Sequence, residues 1–530
     1  METITAPITD PTLDLIDSLD LYASDFRERI VTGYNCGTAE KELEADVSVA
    51  LSWIPGGTAR MRDFSYVAPE LPELDAAKCV GCMECVTECP DTAILAKVIP
   101  ESDLAHLANM IVNGGVHSLD RTHLAKTTKY YDVPKKKGIE GGYFFLTIDP
   151  ARCKGCGECV VACGDHDALK MIPKTDTLLE NARTEFALFD AVPATKREYI
   201  QDKILADMML SHDALLYTGG AGSCMGCGEA TAIRMMLAAT GFVYGEQSVG
   251  IVASTGCNSV YGSTYPYNPY EVPWTNSLFE NSPAVAMGVR ARWDQLGWAD
   301  KKVWVLGGDG AMLDIGFQAL SRMMMSGMNI KVLVLDTQVY SNTGGQASTA
   351  TFVSQDAKMS SNGKVHHGKS ERRKEIAPIM MMHPDIFVAQ TTAAHINHFY
   401  RAIIAANEYP GPAIINVYTP CQPEHGIADD QSMTQAKHAV DSRAFPLLVH
   451  DPRKGDTLAS RLSLQGNPAA HDDWYVKGDG TQVDFIHFAR TEGRFAKQFD
   501  SEGTPTPEMH KAQEDRLKNW HMLQELAGYR

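Results

Sequence analysis

From about Ser223 onward, short apolar runs alternate with stretches of helical periodicity. The clearest unit is Val303-Trp304-Val305-Leu306, the turn Gly307-Gly308-Asp309-Gly310, a helical pattern from Met312 to Met325 closed by Gly327, and the run Ile330 to Leu335. Strand, helix, strand in that order is a βαβ unit, which predicts an α/β fold built on a doubly wound parallel sheet. Ser248 to Ala253 and Ala413 to Tyr418 read as further strands, and Ala230 to Ala239 as a helix. The Met323-Met324-Met325 run reads as core packing, because methionine fills irregular gaps. Ligands of such sheets bind beyond the carboxyl ends of the strands. Asp309, Asp336-Thr337, Cys257 and Cys421 all fall at such ends and so share one edge.

Length and charge narrow the class. A chain of 530 residues has room for about three domains. A net charge of −18 disfavours a phosphate backbone as partner, so nucleic acid is excluded. The start, Met1-Glu2-Thr3-Ile4-Thr5-Ala6, has neither a basic nor an apolar leader segment, and no run reaches the roughly 20 apolar residues of a membrane helix. The expectation is a cytoplasmic protein with no membrane contact. Four regions are expected: residues 1–70 as an extension, 71–200 as a small α+β domain with an insertion at 91–150, 201–440 as the sheet domain, and 441–530 as a C-terminal extension.

Thirteen cysteines change the picture most. Cys79, Cys82, Cys85 and Cys89 form C-x2-C-x2-C-x3-C, and Cys153, Cys156, Cys159 and Cys163 repeat it. This is the bacterial two-cluster ferredoxin run, in which the fourth cysteine of each run ligates the other [4Fe-4S] cluster. The ligand sets therefore cross: Cys79, Cys82, Cys85 and Cys163 for one, Cys153, Cys156, Cys159 and Cys89 for the other. Zinc knuckles would leave the C-x3-C arm without a role. Gly164 stands where a proline often follows the fourth cysteine. Cys224 and Cys227 form a further C-x2-C pair at a helix start, Cys257 and Cys421 are singletons, and the lone Cys36 reads as a small buried hydrophobe. Between the two runs lie Lys126, Lys129, Lys135, Lys136 and Lys137, a basic island on an acidic chain that reads either as a solvated loop or as a docking patch.

Gly308-Asp309-Gly310, followed 25 residues on by Asp336-Thr337, resembles the thiamine diphosphate motif. It lies where a helix start and a carboxylate-held Mg2+ can together neutralise a diphosphate. With Ser223-Cys224-Met225-Gly226-Cys227-Gly228-Glu229, Thr255-Gly256-Cys257, Asn276-Ser277-Leu278-Phe279-Glu280-Asn281 and Asp336-Thr337-Gln338-Val339-Tyr340-Ser341-Asn342-Thr343-Gly344-Gly345-Gln346, the chain resembles the pyruvate:ferredoxin oxidoreductases over about residues 75 to 500.

The resemblance implies thiamine diphosphate and Mg2+ held by Asp309, Thr337 and the Val339 carbonyl, with Gly308, Gly310, Asp336, Ser341, Gly256 and Cys257 around the cofactor. It implies that Glu229 hydrogen-bonds the aminopyrimidine, where a carboxylate favours the tautomer that activates the thiazolium, and that Asn342 meets the substrate. It also implies a third [4Fe-4S] cluster on Cys224, Cys227, Cys257 and Cys421. Gln422-Pro423-Glu424-His425-Gly426 after Cys421 departs from the family's shorter segment. The function implied is decarboxylation of pyruvate to acetyl-coenzyme A, with electrons leaving one at a time to ferredoxin or flavodoxin. The alternatives are 2-oxoglutarate or another 2-oxoacid as substrate, or a non-catalytic electron-transfer subunit. The family's pyrimidine-binding and coenzyme A-binding domains have no counterpart in this sequence. A companion subunit is therefore expected to carry them, in a hetero-oligomer with two copies of each chain.

Overall fold

The computed structural model describes residues 19–45, 47–50, 53–107, 110–112, 115–117, 123–219, 222–361 and 367–530. β1 (Glu70–Leu74), α1 (Glu84–Glu88) and β2 (Ile94–Pro100) form one half of the small domain, and β3 (Gly142–Ile148), α2 (Glu158–Cys163) and β4 (Leu169–Pro173) the other. β1 pairs with β4 and β2 with β3, both antiparallel, and α1 packs against α2. β2 and β3 pair along their whole length, from Ile94 opposite Ile148 to Pro100 opposite Gly142. The insertion is therefore narrower than the expected 91–150: both ends of that span are buried apolar strands of the domain itself.

The larger body follows the order α3 (Gly228–Tyr244), β5 (Val249–Ser254), α4 (Cys257–Gly262), β6 (Trp274–Ser277), α5 (Ser282–Gln295), β7 (Lys302–Gly308), α6 (Phe317–Met324), β8 (Ile330–Asp336), β9 (Phe387–Thr392), α7 (Ile396–Glu408), β10 (Ala413–Tyr418), α8 (Ser432–Asp441), β11 (Leu448–His450) and β12 (Leu462–Ser463). Its sheet runs β12-β11-β9-β10-β8-β7-β5-β6, with the six strands from β9 to β6 parallel and β11 antiparallel to both of its neighbours, β9 and β12. Side chains alternate across it. Trp304, Leu306, Leu333 and Leu335 pack with Ile233, Met236, Phe399 and Ile403 of α3 and α7. Val303, Val305, Val332 and Val334 pack on the other face with Ala286, Leu320 and Met323 of α5 and α6. The apolar runs at residues 303–306 and 332–335 are thus explained by burial on both faces, as a doubly wound parallel sheet requires.

Three expectations need correction. The helical stretch from Met312 to Met325 is broken: a π-helical turn covers Gly310–Ile315 and α6 begins only at Phe317. At Gly316 a Cβ would lie 2.4 Å from the Ala311 carbonyl oxygen and 3.0 Å from Glu280 Cα, so the chain bends there against a close neighbour. Residues beyond 441 are no appendage, because β11 and β12 extend the sheet and Trp520 and Leu523 of the helix Pro507–Leu526 enter its core. Cys36 is exposed rather than buried, since it follows the short helix Thr32–Asn35 and turns outward. Among the described residues, no helix is long and apolar enough to cross a membrane.

Candidate active site and cluster cradles

Strand ends β5, β7 and β8 open into a pocket lined by Glu229, Gly256, Cys257, Gly308, Asp309, Gly310, Thr337, Val339, Ser341 and Asn342, together with Phe279 and Tyr340. Its polar end is an oxygen cluster. Asp309 Oδ1 accepts from the Thr337 amide at 3.2 Å and the Thr337 hydroxyl at 3.1 Å, and that hydroxyl lies 3.1 Å from the Val339 carbonyl oxygen. Adjacent ligands of an octahedral ion with bonds of about 2.1 Å stand about 3.0 Å apart, so spacing and all-oxygen chemistry both fit Mg2+. Burial, with the Asp336 carboxylate behind it, pushes Asp309 well above the usual carboxylate range. A carboxylate so placed gains most from a bound cation.

Glycine shapes the mouth. A Cβ on Gly310 would lie 2.3 Å from the Tyr340 ring, so only glycine lets the chain turn past Tyr340 from β7. The loop carrying the Val339 carbonyl is locked from behind. Gln338 has φ 57°, in the left-handed region. Its side-chain amide donates to the Asp336 carbonyl oxygen at 2.7 Å and accepts from Arg494 at 2.9 Å.

Asp336 itself lies outside the pocket, contrary to its expected place around the cofactor. Its carboxylate turns into the sheet, where Arg373 neutralises it and Asn416 donates to it at 3.2 Å. Sequence reading also missed Ser348, whose hydroxyl donates to Asp309 Oδ2 at 2.5 Å, and His425, which meets the Thr337 carbonyl oxygen at 2.8 Å. His425 also lies 3.4 Å from the Cys421 amide and 3.8 Å from Glu492. No local motif marks these residues, because each reaches the site from a different segment.

Glu229 sits in the first turn of α3, buried, with Tyr261 donating to its Oε2 at 3.1 Å. Burial raises its carboxyl to about 7, against the lowering effect of the Tyr261 hydrogen bond. The turn before it is closely packed. Cβ atoms on Gly226 and Gly228 would collide with the Asp429 and Pro420 carbonyl oxygens, at 1.9 and 2.7 Å. These contacts seat Cys224 and Cys227 beside Cys421, and Cys257 interacts with both Cys227 and Cys421. Cys257 Sγ lies 3.4 Å from the Ser341 hydroxyl, which in turn is 3.3 Å from that of Thr337.

Two further cavities take the cysteines in crossed sets. Cys79, Cys82, Cys85 and Cys163 line one, and Cys89, Cys153, Cys156 and Cys159 the other. The fourth cysteine of each run accepts an amide hydrogen bond at 3.3 Å, Cys89 from Ala93 and Cys163 from Ala168. Burial pushes the Cys79 thiol up to about 11 and those of Cys153 and Cys421 up to about 12. Burial thus favours the neutral thiol over the thiolate at these positions. Gly164, despite replacing proline, ends α2 at φ 52° with open space around it.

The basic island is largely committed. Lys129 pairs with buried Asp207 at 2.5 Å, Lys135 with Glu101 at 2.9 Å, and Lys126 lies 4.0 Å from the centre of the Tyr131 ring. Lys136 and Lys137 remain exposed.

Residues 254–417 match the C-terminal thiamine pyrophosphate-binding domain of thiamine pyrophosphate enzymes, and residues 72–95 match the 4Fe-4S binding domain. Pyruvate-flavodoxin oxidoreductase of Rhodospirillum rubrum is 26% identical over 96% of this chain and 45% of its own length. Pyruvate:ferredoxin oxidoreductase of Moorella thermoacetica is 28% identical over 78% of this chain and 39% of its own. Among solved structures, 2-oxoglutarate:ferredoxin oxidoreductase from Magnetococcus marinus covers 39% of this chain and 67% of its own, with 22% identity and a TM-score of 0.34. The chain spans less than half the length of these curated relatives.

Proposed function

The chain is a homologue of the pyruvate-flavodoxin and pyruvate:ferredoxin oxidoreductases over most of its length, and from that premise we propose that it forms the thiamine- and cluster-bearing part of a 2-oxoacid oxidoreductase acting on pyruvate. Thiamine diphosphate supplies, when bound, the electron sink that a 2-oxoacid needs to lose CO2. Asp309, Thr337 and the Val339 carbonyl would hold Mg2+, which would neutralise a diphosphate, and the Gly310 turn leaves room for that group at the backbone. Glu229, dry and oriented by Tyr261, holds the proton at the aminopyrimidine end. Asn342 meets the substrate carbonyl.

The observation that carries this reading is the shared wall between pocket and cysteines. Cys257 itself lines the pocket, and Ser341 touches both its Sγ and the Thr337 hydroxyl. From there the crossed cavities continue the route outward. Lys154, beside Cys153, bonds Ser223, beside Cys224, at 2.8 Å. The three cysteine sets would hold [4Fe-4S] clusters, which would supply one-electron transfer toward ferredoxin or flavodoxin. Coenzyme A takes the acyl group, and polypeptide beyond this sequence supplies the pyrimidine-facing half and the coenzyme A site. The protein acts in the cytoplasm.

The test is anaerobic copurification with any companion chain, followed by dye reduction with pyruvate, 2-oxoglutarate and other 2-oxoacids, each with and without coenzyme A. Reduction that is fastest with pyruvate and needs coenzyme A is expected. Preference for another 2-oxoacid would overturn the substrate, and no reduction with any of them would overturn catalysis.

A further inference from the structure

Arg234 projects from α3 and has no exposed surface. Its Nη1 donates to the Val86 and Thr87 carbonyl oxygens of α1, at 2.6 and 3.1 Å, and its Nε to the Thr92 hydroxyl at 3.0 Å. The guanidinium therefore lies along the segment that carries Cys89. Its three acceptors are neutral, so they take up donors without balancing the charge. Among the described residues no carboxylate stands at ion-pair distance from Arg234, and its Nη2 has no hydrogen-bond partner. Asp91, two residues past Cys89, pairs instead with Lys154 at 3.0 Å. Burial lowers the pKa of the guanidinium, and Cys89 is the first influence that raises it, ahead of Asp91.

The same segment is held tightly to the sheet domain. Thr92 has φ 54°, a left-handed conformation that a β-branched residue adopts only under constraint. Its hydroxyl donates to the Tyr217 carbonyl oxygen at 2.8 Å while accepting from Arg234. The Asp91 carbonyl oxygen accepts from the Gly219 amide at 2.9 Å, and a Cβ on Gly219 would lie 2.3 Å from that oxygen. The position of the Arg234 charge relative to Cys89 is thus fixed from several sides. A full charge buried without an opposite charge is strongly unfavourable. A four-iron cluster on four thiolates is an anion, and it gains one more negative charge when it takes an electron, so a fixed cation beside it favours the reduced form. We propose that Arg234 is the buried counter-charge of the cluster held by Cys89, Cys153, Cys156 and Cys159, and that it raises the reduction potential of that cluster. The assignment rests on the cluster reading made above.

The test is a redox titration of the full chain, purified anaerobically with its iron and followed by electron paramagnetic resonance. The signal absent from Cys153→Ala identifies the cluster in question. Arg234→Gln should lower its reduction equilibrium by at least about tenfold, which is about 59 mV for a one-electron couple, and leave the other signals in place. Arg234→Lys, which keeps the charge and loses the fork, should hold the wild-type potential. Loss of about four iron in Arg234→Gln but not in Arg234→Lys would equally assign the role to the charge. An unchanged potential in Arg234→Gln would overturn the proposal. So would an equal shift, or an equal loss of iron, in both variants, since Arg234 would then be a structural clasp. A wild-type chain without iron would overturn the cluster reading itself, and the iron analysis separates that failure from the others.

Discussion

The two cysteine runs invite direct comparison, because they are near copies placed in different surroundings. Gly81 and Gly155 occupy the same step at φ 68° and 78°, and Met83 and Gly157 the next left-handed step at 75° and 87°. The cradles therefore share a backbone. They differ at the residues between the cysteines. Val80 is 43% exposed, whereas its counterpart Lys154 is 5% exposed and pairs with Asp91 at 3.0 Å. Glu84 faces solvent, whereas its counterpart Glu158 is buried and accepts from the Met433 amide at 2.9 Å. The first cradle thus looks outward and the second toward the sheet domain. Cysteine spacing builds the cradle, and the residues between cysteines decide which way it faces.

Removing one cluster at a time is the strongest way to break that comparison. The intact chain should carry about twelve iron and twelve sulfide, four per cysteine set. Cys153→Ala and Cys79→Ala should each lose about four iron, while Cys36→Ser loses none. Only the inner loss should stop pyruvate from reducing the remaining outer cluster, as read by electron paramagnetic resonance of the assembled enzyme. Equal behaviour of the two variants would show that the inner and outer order is mistaken.

Next in size is the exchange of the intervening residues. Lys154→Met removes the ammonium that pairs with buried Asp91 at 3.0 Å, a change that costs about 3–5 kcal/mol. Val80→Lys on the exposed counterpart should stay within about 0.5 kcal/mol. Thermal loss of cluster absorbance compares them, and similar shifts would contradict the difference in burial. Gly157→Ala should cost about 1–2 kcal/mol, since alanine resists the left-handed conformation and its Cβ would sit 3.4 Å from Asp430 Cβ. An unchanged melt would mean that this turn relaxes freely.

How much of this could be read from sequence depends on how local each signal is. Strand Ala413–Tyr418 was legible because a short β-branched run, apolar but for Asn416, fits a strand buried on both faces. The crossing of Cys89 and Cys163 was an expectation from the ferredoxin spacing, and each of the two lines the cavity of the opposite run. Strand Phe387–Thr392 was not, since its end Gln390-Thr391-Thr392 is polar in sequence and buried by hydrogen bonds such as that from Gln390 to the Pro446 carbonyl oxygen, at 2.8 Å. Arg373, which neutralises Asp336, and Arg494, which holds Gln338 across 156 residues, carry no motif at all. A buried charge is recognisable only once its partner is known. For the same reason Asp336 was taken for a pocket residue: the sequence shows a carboxylate at a strand end, and only the fold shows the arginine behind it.

The smallest expected effect concerns the outward face of the first cradle, where a carrier protein would dock. Five lysines near it looked like one basic island, but Lys126, Lys129 and Lys135 are held by Tyr131, Asp207 and Glu101. Among the described residues Lys136 and Lys137 are exposed and have no carboxylate at ion-pair distance, so steering of an acidic ferredoxin or flavodoxin is expected from these two. Steering by two exposed charges acts on association rate and fades over a Debye length of about 8 Å at physiological salt. Replacing both with Gln should raise the apparent KM for the carrier a few-fold at low salt, flatten its salt dependence, and leave reduction of a neutral dye unchanged. Lys135→Gln, which breaks an exposed pair with Glu101, should do neither. Should Lys135→Gln match the double variant, the island acts as a unit after all; should the double variant leave carrier kinetics untouched, docking lies on another part of the outward cradle, such as the exposed Val80 edge.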